Sequence, residues 1–174
     1  MSRPVYRIHS TPLGDALLVL TGTGLAVLDV LDGPGGDALA AAARRLGEIP
    51  DRDEAATADV AAQLDGYFAG ERRAFDVPLD WVDAGGFARD ALEAITTIPY
   101  GQTASYGEIA IIAGSPRAHR AVGSACARAP MSIVVPVHRV VRSDGSLSQY
   151  GGHPERKRWL LDLETRVVAE GAGV

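Results

Sequence analysis

The sequence predicts an α/β protein in which a small sheet-and-helix domain is followed by a helical domain. Three short apolar runs separated by turn residues open the 174-residue chain, as in a β meander. From residue 37 onwards, apolar residues recur mainly at helical spacing. The composition, 47% hydrophobic and 22% charged, is that of a globular protein rather than of a disordered one.

The first domain is expected to span residues 1–82. The turn sequences Thr-Pro-Leu-Gly and Thr-Gly-Thr-Gly separate three predicted strands, over 5–9, 16–20 and 25–30. A helix is predicted over 37–46, a loop over 47–53 and a second helix over 56–68. An edge strand is predicted over 75–79, because Pro78 cannot donate a hydrogen bond within a central ladder.

The second domain is expected over residues 83–174. Its first predicted helix starts at the segment 83–86 and ends at about residue 97. Ser105 and Glu108 have the spacing of a capping box at the start of another helix, over 106–113.

A further helix is predicted over 117–128, with Ser115 as its cap and Pro116 at its first position. The two short helices, joined by a turn containing Gly114, predict a helix-turn-helix. Small residues occupy most of the second helix, which either permits close approach to another surface, with Arg120 projecting, or reflects tight packing in a core. These small residues are Ala118, Ala121, Gly123, Ser124, Ala125 and Ala127.

Positive charge is concentrated in one part of a chain whose net charge is −5. Residues 101–160 contain eight basic and three acidic side chains, whereas residues 1–100 contain eight basic and 16 acidic ones. This asymmetry is typical of a nucleic-acid-binding face, although chance clustering would look the same.

Composition also excludes several classes of protein. The chain has no apolar run long enough to span a bilayer and no apolar signal core near its first residue, so a cytoplasmic protein is expected. The single cysteine, Cys126, excludes an internal disulfide, and the four histidines lack the spacing of metal ligands. We therefore expect neither a metal nor a cofactor.

Five short motifs occur in an order that resembles the O6-alkylguanine-DNA alkyltransferases, also called methylated-DNA–protein-cysteine methyltransferases. They are Ile-Pro-Tyr-Gly at 98–101, Ser-Tyr-Gly-Glu-Ile-Ala at 105–110, Arg-Ala-Val-Gly at 120–123, Val-Pro-Val-His-Arg-Val at 135–140 and Tyr-Gly-Gly at 150–152. The resemblance covers residues 85–165 closely and the first 80 residues more loosely. It implies a ribonuclease-H-like first domain and a winged-helix-like DNA-binding second domain.

The resemblance also identifies a departure from the family at the reactive loop. The family has Pro-Cys-His-Arg-Val, and its cysteine accepts the alkyl group as a thiolate, whereas this chain has Val137. His138 and Glu164 match the family's histidine and glutamate, and Ala129 replaces an asparagine that braces the site. From these residues we expect a protein that is not an enzyme and that is closest to the non-transferring alkyltransferase-like proteins.

The DNA-binding residues are carried over from the same family. The helix-turn-helix is expected to enter the minor groove, with Arg120 replacing a flipped-out nucleotide in the base stack and Tyr106 pressing on the neighbouring phosphate. The remaining residues of the DNA-binding set are Ala121, Gly123, Ser124 and Ser143. The alkylguanine pocket is expected to comprise Val137, Val140, Tyr150 and Gly151.

Three functions remain open from the sequence. The first is a lesion-binding monomer, associated with the nucleoid, that flips O6-alkylguanine in double-stranded DNA without transferring the alkyl group and hands it to excision-repair proteins. The second is a cysteine methyltransferase represented by an acceptor-cysteine mutant. The third is a helix-turn-helix DNA binder that ignores lesions.

Overall fold

The computed structural model describes residues 3–82 and 84–171. Asp83, which lies at the predicted domain boundary and in the segment predicted to open a helix, falls outside the described residues. The chain forms two compact units, Met1–Asp83 and Ala84–Val174, hereafter the first and the second unit. Among the described residues, no helix is both long enough and apolar enough to cross a membrane.

A four-stranded sheet forms the centre of the first unit. Strands β1 (Val5–Thr11), β2 (Gly14–Leu20) and β3 (Leu25–Val30) are antiparallel, as the apolar runs and turns predict. A two-residue strand, β4 (Asp51–Arg52), pairs in parallel with β1, so the order is β3-β2-β1-β4. The prediction of a plain loop over 47–53 is therefore wrong at these two residues, which are too few to produce a periodic pattern.

Two helices cover opposite faces of this sheet. Helix α1 (Gly36–Leu46) packs on the face that carries Leu17 and Val19. Helix α2 (Ala58–Phe68) lies on the other face, where Asp65 pairs with His9 of β1. Strand β2 is consequently buried on both sides, since residues 16–19 are all fully buried.

The predicted edge strand over 75–79 does not form. A single bridge joins Leu79 to Leu25, with hydrogen bonds from Leu25 N to Pro78 O and from Asp80 N to Leu25 O, both 2.8 Å long. Pro78 has no N–H group to continue the ladder, and this lack limits the pairing to one bridge.

The second unit is mainly helical. It contains α3 (Gly86–Thr96), α4 (Tyr106–Ile112), α5 (His119–Ala127) and α6 (Pro154–Gly171). Helices α3, α4 and α5 pack against one another, and their buried side chains include Ile95, Ile109 and Val122. A two-stranded parallel ribbon joins β5 (Ala104–Ser105) to β6 (Val140–Val141).

The capping box at the start of α4 is confirmed, because Ser105 Oγ accepts from Glu108 N at 3.2 Å and Glu108 Oε2 accepts from Ser105 N at 2.6 Å. The predicted cap of the next helix is wrong. Helix α5 begins at His119 after Ala118, and a turn in which Ala118 N donates to Ser115 O takes up the residues between. The two helices and their turn nevertheless form the predicted helix-turn-helix.

Candidate functional site

The loop that contains position 137 is held by backbone pairing on both sides. Residues 131–135 form a tight turn in which Val135 N donates to Met131 O at 2.8 Å. Ile133, at the centre of this turn, is buried and has φ of 73°, a left-handed conformation that is rare for a β-branched residue. A short 3-10 helix, Val137–Arg139, follows and leads directly into β6.

Glu164 of α6 is the centre of a buried hydrogen-bond network beside this loop. Its carboxylate receives His138 Nε2 at 2.8 Å and the Arg139 guanidinium, whose Nε and Nη2 each lie 2.9 Å away. It also accepts from Gly101 N at 3.0 Å. His138 and Glu164 are fully buried. The motif that contains Gly101, the reactive loop and α6 are thus joined at one carboxylate.

The protonation of this network follows from its contacts. Burial alone would raise the pKa of Glu164, but hydrogen bonds from His138 and Arg139 outweigh it and lower the pKa to about 2. Burial lowers the pKa of His138 below its ordinary value, against the opposing effect of Glu164. At neutral pH the histidine is therefore neutral and donates Nε2–H to the carboxylate, which leaves the lone pair on Nδ1.

Arg139 connects the same network to the loop before α4. Its Nη1 donates to Ile98 O at 2.7 Å, and its guanidinium carbon lies 5.4 Å from the centre of the Tyr100 ring. A planar cation with five donors can make these contacts together with the bidentate pair to Glu164. The motif at 98–101 therefore packs around the reactive loop.

Position 137 itself is apolar and nearly enclosed. Val137 is 5% exposed, and Val140, three residues on, is fully buried. The chain's one thiol, that of Cys126, lies on α5 rather than in the reactive loop. Burial raises the pKa of Cys126 to about 12, so the sulfur is protonated at neutral pH and is a weak nucleophile.

A second polar network joins α6 to the start of α4. Lys157, whose side chain is buried, donates from Nζ to Val140 O at 2.5 Å and to Ser148 Oγ at 3.0 Å. Ser148 Oγ is in turn hydrogen-bonded to the Tyr106 hydroxyl. Burial raises the pKa of Tyr106, in opposition to the hydrogen bond with Ser148, so the phenol keeps its proton.

The solvent-exposed face of helix α5 carries small side chains and one arginine. Arg120, Ala121 and Ser124 are exposed, whereas Val122 and Ala125 face the interior. A side chain at Gly123 would bring its Cβ within 3.8 Å of the Tyr106 ring. Some of the small residues are therefore exposed to solvent, so tight packing in a core does not account for this face of the helix.

The other residues expected in the site lie on two loops. Ala129 is half-buried directly after α5. Ser143, Tyr150 and Gly151 lie between β6 and α6, where Ser143 and Gly151 are exposed and Tyr150 is half-buried. Gly151 has φ of 56°, so glycine suits the backbone conformation here better than a residue with a side chain.

The sequence interpretation missed three polar residues of the site, namely Arg139, Lys157 and Ser148. Arg139 lies in one of the five motifs, but the resemblance assigns it no role. Lys157 and Glu164 share the buried face of α6 with Leu160 and Val167, at spacings of three, four and seven residues. That helical spacing could have identified Lys157 as a buried charge. No pattern in the sequence distinguishes Ser148.

Two family models match the chain: the 6-O-methylguanine DNA methyltransferase ribonuclease-like domain over residues 5–81 and the DNA-binding domain of the same family over residues 86–166. The methylated-DNA–protein-cysteine methyltransferase of Mycobacterium leprae is 41% identical over 162 residues, which is 93% of each chain. The chain belongs to the 6-O-methylguanine DNA methyltransferase family.

Further members of this family are similar over nearly their whole length. The methylated-DNA–protein-cysteine methyltransferase of Methanosarcina acetivorans is 37% identical over 91% of this chain and 97% of its own. The crystal structure of Mycobacterium tuberculosis O6-methylguanine methyltransferase covers 94% of this chain and 93% of its own, with 40% identity and a TM-score of 0.80. Mycobacterium tuberculosis OGT in complex with DNA has 40% identity and a TM-score of 0.78, with 93% of both chains covered.

These comparisons confirm the predicted fold class, a ribonuclease-like sheet-and-helix domain followed by a helical DNA-binding domain. They also contradict the prediction, made from Val137 and Ala129, that the chain is not an enzyme, because relatives 41–50% identical to it are named as methyltransferases. The assignment to the non-transferring subtype has no support in these relatives. Departures at two positions, 129 and 137, are too narrow a basis for setting the chain apart from its family.

Proposed function

We propose that the chain is a methylated-DNA–protein-cysteine methyltransferase for O6-alkylguanine in duplex DNA, represented by a sequence with valine at the acceptor position, 137. The observation that carries the proposal is the buried His138–Glu164 pair, with a 2.8 Å hydrogen bond, directly after that position. A neutral histidine with its proton held on Nε2 is suited to accept a proton from a neighbouring thiol. The names of the relatives support the same reaction.

The reaction needs a thiol at position 137. His138 takes the thiol proton, the sulfur forms a bond to the alkyl carbon, and the bond between that carbon and O6 of guanine breaks. The electron pair of the broken bond stays on the guanine, which then takes up a proton. The isopropyl group of Val137 has no electron pair to offer, so transfer to this position requires a cysteine there.

DNA binding is proposed to use the exposed face of α5. A surface of small residues permits close approach to the minor groove, and Arg120 can fill the gap that a flipped nucleotide leaves. The DNA-binding set comprises Tyr106, Arg120, Ala121, Gly123, Ser124 and Ser143. The base pocket comprises Val137, Val140, Tyr150 and Gly151. Action as a monomer on nucleoid DNA in the cytoplasm remains a prediction, as does a domain boundary between residues 82 and 83. Excision-repair partners are expected only for a chain that leaves the alkyl group on the guanine.

The test is to introduce the acceptor thiol. Val137→Cys should take up radiolabelled methyl groups from O6-methylguanine duplex DNA, up to one per protein molecule. Val135→Cys places a buried thiol two residues before the acceptor position and should remain unlabelled. Val137→Cys with Ala129→Asn should react faster than the single variant, because the asparagine restores the family's brace after α5.

Peptide mapping of the label decides the outcome. A Val137→Cys protein that is folded and binds the lesion, yet takes no label with either residue at 129, would contradict the proposal. Label on Cys126 in the unchanged chain would move the acceptor to α5. Rapid transfer by the single variant would mean that Ala129 supports the reaction as well as asparagine does.

A further inference from the structure

A chain of hydrogen bonds runs from the interior of the second unit to its DNA-facing side. It starts at the buried ammonium of Lys157, passes through Ser148 Oγ and ends at the Tyr106 hydroxyl. The same ammonium holds Val140 O at 2.5 Å, in the strand that follows the reactive loop. Ser148 therefore connects an anchored lysine with the tyrosine that the proposed function places against DNA.

The chemistry of these groups fixes the direction of one hydrogen bond and favours that of the other. A protonated lysine can only donate, so Ser148 Oγ accepts from Lys157. The serine hydroxyl has one proton of its own and can donate it to the phenolic oxygen of Tyr106. A hydroxyl that accepts from a cation becomes a stronger donor. In this arrangement the Tyr106 proton points away from Ser148.

We propose that Ser148 is a positioning residue that orients the Tyr106 hydroxyl as a donor towards the DNA strand at the flipped nucleotide. This inference rests on the proposed function, since it requires lesion DNA at α4 and α5. Tyr106 supplies the contact with DNA, and Ser148 acts through it. Lys157 binds both Ser148 and the strand that follows the reactive loop. Through Ser148 it therefore fixes the position of the Tyr106 hydroxyl relative to position 137.

Packing fixes the backbone and the ring of Tyr106 but not the orientation of its hydroxyl proton. The ring lies against Gly123 of α5, where there is no side chain, and its backbone follows the β5–β6 ribbon. Because Ser105 pairs with Val141, the backbone position of the next residue, Tyr106, is fixed. A phenolic O–H can still rotate about its C–O bond, and the hydrogen bond to Ser148 restricts that rotation.

The experiment is a double-mutant cycle on the full chain with O6-methylguanine duplex DNA and an unmodified duplex. Ser148→Ala and Tyr106→Phe should each weaken lesion binding by about threefold to tenfold, the range expected for one hydrogen bond. The double variant should be no weaker than Tyr106→Phe alone, because Ser148 has no hydroxyl left to orient. Ser146→Ala, on the same loop, should bind like the unchanged chain.

A second pair of variants controls for damage to the fold. Ser148→Thr keeps the hydroxyl and Ser148→Val removes it with nearly the same shape, so only the valine form should lose affinity. The inference would be overturned if the losses multiplied in the double variant, or if the threonine and valine forms bound equally well. In either case, preference of the unchanged chain for the lesion would still support the proposed function. Equal binding of both duplexes by the unchanged chain would instead contradict the proposed function itself.

Discussion

Among the described residues of the second unit, three charged side chains are buried, and the groups around each of them differ. Glu164 and Arg139 compensate each other through a bidentate pair. Lys157 donates instead to two uncharged oxygen atoms, those of Val140 and Ser148. Burial lowers the pKa of Lys157 to about 8 from 10.5, Cys126 opposes this shift, and the positive charge of Arg142, a smaller effect, adds to it. The lysine therefore destabilises the folded state as long as it is protonated.

Stability should consequently rise with pH through the range in which Lys157 titrates. Between pH 8 and 10.5 the unfolded chain retains a proton on this lysine that the folded chain has lost, so the free energy of unfolding increases with pH. The full difference corresponds to about 3 kcal/mol. Urea unfolding of the Cys126→Ala chain at a series of pH values should show this rise, and Lys157→Met in the same background should remove it.

Cys126 titrates in an overlapping range with the opposite sign. Its pKa is raised from 9.0 to about 12 in the folded chain, so the unfolded chain loses the thiol proton first and stability falls as pH rises from 9.0 to 12. The lysine effect is therefore best measured in a Cys126→Ala background. If stability in that background is flat from pH 8 to 10.5, the lysine is not desolvated as the structure indicates.

At the scale of elements, the start of α4 and the start of α5 provide a matched comparison. Both have a serine where a cap is expected from the sequence, but only Ser105 accepts from a helix N–H. Ser105→Ala should lower the free energy of unfolding by about 1 kcal/mol. Ser115→Ala should leave it within about 0.5 kcal/mol of the unchanged chain, as for a surface position. Equal losses in urea unfolding would show that Ser115 also stabilises its helix.

These elements also show what the sequence can and cannot predict. The three strands over 5–30 and the capping box were predictable, because short apolar runs, turn residues and helix caps are local patterns. Strand β4 and the single bridge at Leu79 were not, because they depend on a distant partner that supplies one or two backbone pairs. At the site, motif order identified His138 and Glu164, whereas Ser148 depends on contacts with residues nine and 42 positions away.

At the scale of the whole molecule, charge is distributed unevenly along the chain, with acidic residues in excess over 1–100 and basic residues in excess over 101–160. The net charge of −5 opposes approach to DNA, yet residues 101–160 carry eight basic and only three acidic side chains. Positive charge of this kind promotes binding to any duplex, damaged or intact, and makes the affinity depend on salt. Preference for a lesion must arise from contacts beyond this general attraction, and Arg120 on the exposed face of α5 is the candidate.

Arg120→Ala should therefore reduce the preference for alkylated DNA as well as the affinity. A flipped base leaves a gap in the stack, and an inserted guanidinium restores part of the lost stacking and donates to the orphaned pyrimidine. Loss of such a charge-assisted hydrogen bond corresponds to about 1.5–3 kcal/mol, so lesion affinity should fall by about tenfold to a hundredfold. Arg44→Ala removes an exposed charge from α1 and serves as the control. Lesion and unmodified duplexes are titrated side by side at two salt concentrations. An equal loss on both duplexes, with a flatter salt dependence, would make Arg120 a phosphate contact, and another residue would then have to fill the gap.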